Sequence, residues 1–68
     1  MWYHIKTAPN KLLAETWCEL LQSEGIPTHV EPDPTKAYLG NLAPQRIFVP
    51  REKKELAEHI LHNRLVAR

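Results

Sequence analysis

The sequence predicts an α+β domain of order β-α-β-β-α, with two helices packed on one face of a small antiparallel or mixed sheet. Three observations lead there. Two segments carry apolar residues at helical spacing, three shorter ones are rich in aromatic and β-branched residues, and prolines and glycines mark the joints. The chain has 68 residues, 43% hydrophobic and 25% charged, with formal net charge +1. A chain near this size buries only about 60% of its unfolded surface, so residues 1–68 read as a single small domain with one thin core.

Trp2 to Lys6 alternates in side-chain direction and reads as the first strand, with Tyr3 and Ile5 on one face and Trp2, His4 and Lys6 on the other. Thr7-Ala8-Pro9-Asn10 then offers helix-start signals, because Thr7 or Asn10 can cap free N–H groups and Pro9 is tolerated in a first turn. In the helix that follows, Leu13, Ala14, Trp17, Leu20 and Leu21 form one stripe, with Glu15, Glu19 and Gln22 opposite. Gly25 supplies the left-handed residue at which a helix stops, and Ile26 packs back on the last turn. Ile26 to Glu31 is the second strand, with Ile26, Thr28 and Val30 facing one way and His29 and Glu31 the other. Pro27 places it at an edge.

Three prolines and Gly40-Asn41 make Pro32 to Gln45 a long loop, with room for a short strand around Tyr38. Arg46 to Pro50 is the third strand, and Glu52 to Leu65 a second helix with the stripe Leu56, Ala57, Ile60 and Leu61. A right-handed first crossover that leaves room for strand three gives the spatial order 1-3-2, a ferredoxin-like arrangement lacking or shortening its last strand. Strand one then has a free edge for pairing with a second copy, or for cover by Leu65 to Arg68 folded back.

Trp2, the helix end Leu20-Leu21-Gln22-Ser23-Glu24-Gly25-Ile26-Pro27, Gly40, and Ile47-Phe48-Val49-Pro50 leading into Glu55-Leu56-Ala57 resemble a small bacterial family described as prokaryotic signal-transducing proteins. The resemblance spans nearly the whole chain. It implies a compact ferredoxin-like or nitrogen-regulatory-protein-like fold and a role in signal transduction, and it carries over no catalytic residues.

The outer sheet face is the most informative surface. With Tyr3, Ile5, Val30, Ile47 and Val49 turned to the helices, the unprotected side carries Trp2, His4, Lys6, His29, Glu31, Arg46 and Phe48. Aromatic side chains on such a face point to a partner site, and Trp2, His4, Lys6, His29, Arg46 and Phe48 are its candidate residues. Base stacking is disfavoured, because net charge is only +1 and Glu31 lies on the face.

Glu55, His59 and His62 share one helix face, so all three could touch one ion. The plainer reading, adopted here, is a solvated face with Glu55–His59 and Glu58–His62 pairs. His4 and His29 sit two strand spacings apart, about 9.6 Å, too far for one ion. Cys18 is the only cysteine and lies at the margin of the apolar stripe, which marks it as structural, with neither disulfide nor structural zinc expected.

These readings predict a non-enzymatic regulatory or adaptor domain that binds a protein partner, including a second copy, through the open face or the strand-one edge, with no cofactor and no metal. Its alternative is a small-ligand sensor, the loop 32–45 closing over a site near Trp2 and Phe48. Met1 to Lys6 has no charged leader with an apolar stretch, and no apolar run suits a bilayer, so a cytoplasmic protein without membrane contact is expected.

Overall fold

The computed structural model describes residues 1–66, with side chains described for residues 1–64. Its elements are β1 (Trp2–Ala8), α1 (Lys11–Ser23), β2 (His29–Pro32), β3 (Gln45–Pro50) and α2 (Lys54–Val66), with 3-10 turns at Ala37–Leu42 and Arg51–Lys53. The strands form one antiparallel sheet in the order β1-β3-β2, which is the spatial order the sequence predicts. Ile47 and Val49 of β3 are fully buried and join Ala8, Ala14, Trp17, Cys18, Leu21, Ile26, Ala57 and Leu61 in the core, so both helices lie on the same side of the sheet.

The start of α1 follows from its cap. Extended backbone at Asn10 lets its Oδ1 accept the Leu13 N–H at 2.9 Å, while Pro9 stays outside the helix. Its end follows from Gly25, whose φ is +82°. The Gly25 N–H donates to the Gln22 carbonyl at 2.9 Å and the Ile26 N–H to the Leu21 carbonyl at 3.1 Å, with Ile26 and Leu21 both in the core. An added Cβ at Gly25 would meet nothing within 4 Å, so only the backbone resists a side chain. Gly25→Ala is therefore expected to lower stability by about 1 kcal/mol. A urea melt superimposable on wild type would remove that account of the helix stop.

Several expectations need correction. The buried residues of α1 are Ala14, Trp17, Cys18 and Leu21, a stripe rotated away from Leu13, and on α2 Leu56 is 47% exposed. A sheet of three strands is too narrow to cover the full apolar stripe of two helices. Strand two starts at His29, later than Ile26, because Pro27 lacks an N–H for the ladder. No strand forms around Tyr38. That stretch folds into 3-10 turns whose carbonyls are satisfied locally, Leu39 N–H to Lys36 and Ala43 N–H to Gly40, each at 3.0 Å. Gly40, at φ 62° and ψ −126°, separates the two turns in a conformation that side-chain residues avoid. Finally, α2 continues through Val66, so Leu65 and Val66 do not return to β1, and Ala67 and Arg68 lie outside the described residues.

The most consequential correction lies in β1. Its register against β3 runs Tyr3 opposite Val49 and His4 opposite Phe48, then resumes with Lys6 opposite Ile47, leaving Ile5 as a bulge. The bulge inverts the alternation, so Lys6 joins buried Ile47 on the helix side and Thr7 takes the outer face beside Arg46.

Candidate functional site

The outer face is built of rows running across all three strands. His4, Phe48 and His29 stand opposite one another, and Phe48 receives the His4 ring at 5.3 Å and the His29 ring at 5.9 Å between centroids. Trp2 reaches from β1 to within 5.7 Å of the His29 ring while remaining 50% exposed. Ring separations of this size are those at which aromatic pairs attract, so the four rings stiffen one another into a platform.

The next row is polar: Thr7, Arg46 and Glu31. Arg46 Nη2 donates to Glu31 Oε1 at 3.1 Å, His29 Nε2 lies 3.1 Å from Glu31 Oε2, and His4 Nε2 lies 2.9 Å from Thr7 Oγ1. The guanidinium carbon of Arg46 also sits 5.8 Å from the Phe48 centroid. Each histidine is thus in contact with both the aromatic row and a polar neighbour. The arrangement offers flat apolar area bordered by donors and acceptors, and Glu31 offsets the charge of Arg46.

Of the six residues predicted for the site, Trp2, His4, His29, Arg46 and Phe48 come together on this face. Lys6 does not. Its Nζ lies 5.5 Å from the Trp17 ring on the helix side, where the bulge puts it. Nearby on that side, Tyr3 carries Lys54 Nζ at 4.9 Å and the Arg51 guanidinium at 6.0 Å from its ring centroid. Sequence reasoning missed both contacts, although alternation already placed Tyr3 on the helix side, within reach of the residues that open the second helix.

The loop 32–45 leaves the sheet at the Pro32–Gln45 pair, the end opposite Trp2. Asp33 anchors its start by accepting from the Thr35 backbone N–H at 3.0 Å and hydroxyl at 2.7 Å. These bonds, aided by Lys36 and Arg46, hold the Asp33 carboxyl below its usual pKa. Their contribution is complete above the usual carboxylate pKa and is lost as pH falls through the lowered one. The loop then lies against the first turns of α1, where Asn41 and Leu42 meet Asn10, Lys11, Leu12 and Glu15 around a depression of about 430 Å³. It therefore does not close over Trp2 and Phe48.

Cys18 is buried in the core. Desolvation pushes its thiol pKa up, a hydrogen bond with Thr28 acts against this, and the charge of Glu15 adds to the rise. A protonated, enclosed thiol is a poor nucleophile. His59 Nε2 lies 3.1 Å from Asn63 Nδ2, and among the described residues no group of three acidic, histidine or cysteine side chains is placed to hold a metal ion. Among the same residues, no helix is long and apolar enough to cross a membrane. No family model, curated protein or solved structure matches the chain.

Proposed function

We propose that this chain is a non-enzymatic regulatory or adaptor domain that docks a protein partner on its open sheet face, in the signal-transducing role that the family resemblance implies. One observation carries the reading: the side of the sheet that no helix covers bears a four-ring cluster of Trp2, His4, Phe48 and His29, bordered by Arg46 and Glu31. An exposed Trp and an Arg stacked on Phe48 on one face match the composition of interface centres. Nucleic acid is the weaker partner, because the single fixed cation of the face is engaged by Glu31 and a phosphate chain needs several free ones.

The test is selection of binders from a displayed random-peptide library, followed by measurement with Trp2→Ala and Phe48→Ala. Each substitution is expected to weaken the selected peptides by at least about tenfold, as loss of an interface anchor does. The helical circular dichroism should be retained. Binding indifferent to both substitutions would sink the proposal.

A further inference from the structure

We propose that the free edge of β1 receives an extended acidic segment of the partner as a fourth strand. This rests on the reading of the chain as a partner-binding domain. The open face alone is too small for that role. Three strands about 4.8 Å apart and about 20 Å long expose on the order of 300 Å², against roughly 800 Å² per partner in a standard interface. A partner seated there must reach an adjoining surface, and β1 borders the face directly.

The hydrogen-bond alternation fixes which groups that edge presents. The Arg51 N–H donates to the Met1 carbonyl at 2.8 Å, and Tyr3 stands opposite Val49. Met1 and Tyr3 therefore turn their backbone groups toward β3, while the N–H and C=O of Trp2 and His4 point to the free edge. The other edge strand, β2, has four residues, ends in Pro32 and follows Pro27. The seven residues of β1 hold no proline, and the bulge at Ile5 interrupts the alternation, so Trp2 and His4 form the regular stretch of edge before it.

Charge selects the occupant. Lys54 and Arg51 rest on the Tyr3 ring and Lys6 on the Trp17 ring, so three cations line the helix side of this edge. Among the described residues, the ion pairs are those of Glu31 with His29 and Arg46, and none engages these three. A second copy paired across a two-fold axis would set Lys6, Arg51 and Lys54 against the same three groups, and like charges across a strand pair repel. A segment alternating acidic with apolar residues meets both sides: carboxylates toward the three cations, apolar groups beside Trp2 and His4.

The experiment titrates labelled protein with a capped seven-residue peptide alternating glutamate with valine, and with its lysine-for-glutamate counterpart, following backbone amides by NMR. The expected result is saturable shifts at the amides of Trp2 and His4 with the acidic peptide alone. Lys54→Glu together with Arg51→Glu should weaken binding by about tenfold or more, and high salt should weaken it in wild type. His4→Pro, whose lost N–H faces the edge and not β3, should abolish binding, whereas His4→Ala should retain most of it. Equal binding of both peptides, or shifts confined to Phe48 and His29, overturns the edge assignment and leaves the open-face reading standing. Absence of any binder on either surface overturns both. A wild-type dimer that His4→Pro dissociates in sedimentation equilibrium overturns the acidic-partner assignment in favour of a second copy.

Discussion

A Trp17→Ala protein is expected to be largely unfolded at room temperature. Trp17 is 9% exposed and sits among Ala14, Cys18 and Leu21 of its own helix, facing the sheet. Truncating a buried Trp costs about 3–5 kcal/mol, close to the whole stability that a single core of this size supplies. The loss also removes the ring on which Lys6 rests. Circular dichroism during urea titration measures the effect, with Trp17→Phe as the variant that should fold with an intermediate midpoint. A Trp17→Ala protein with the wild-type midpoint would show that α1 does not pack on the sheet through this face.

Ile47→Ala is expected to cost about 2–5 kcal/mol, and Ile47→Val about 0.5–1.5 kcal/mol. Ile47 lies at the centre of β3, opposite Lys6 on one side and Val30 on the other, and is fully buried. Nothing at the middle of the sheet can collapse into the space it leaves without moving a paired strand. Val30→Ala gives the contrast. Its side chain shares the helix side of the sheet but is 37% exposed on the β2 edge, so it should cost well under half as much. Equal losses at the two positions would mean that the core does not centre on β3.

The parts of this fold that could be read from residues are those in which local chemistry and burial agree. Asn10, one of the two caps the sequence offers, starts α1 through its side chain, and Gly25 ends it through its backbone where the sequence puts it. The order β1-β3-β2 follows from a right-handed first crossover that leaves room for strand three once both helix stripes are set on the same side of one sheet. Four of the rings on the outer face were legible from alternation, because Trp2, His4, His29 and Phe48 all lie in stretches of regular pairing.

What alternation could not show was its own interruption. An ordinary Ile at position 5 gives no sign of a bulge, since Ile fits either face of a strand, and the decision rests on how Ala8 reaches the core opposite Gln45. Leu56 and Leu13 failed for a different reason: helical periodicity reports which side of a helix is apolar, and the width of the sheet beneath decides how much of that side is covered. The 3-10 turns at Ala37–Leu42 depend on Gly40 meeting an unusual backbone state, which Tyr38 and Leu39 alone do not announce.

The extra residue at Ile5 makes β1 read differently from its two ends. Counted from Trp2, even positions belong to the ring platform; counted back from Ala8, even positions belong to the interior. In an alignment with a chain whose first strand is uninterrupted, a one-residue gap belongs between His4 and Lys6, and placing it in the loop after Ala8 would match outward residues with inward ones. Deletion of Ile5 would likewise close the ladder without a bulge if Trp2 to His4 kept their pairing, leaving Lys6 opposite Ile47 beside Trp17 and Thr7 opposite Arg46 on the outer face. Loss of the residue at this point thus leaves the charge of the ring platform as it is, whereas loss of a residue between Lys6 and Ala8 with the bulge kept would change which side chains reach the interior.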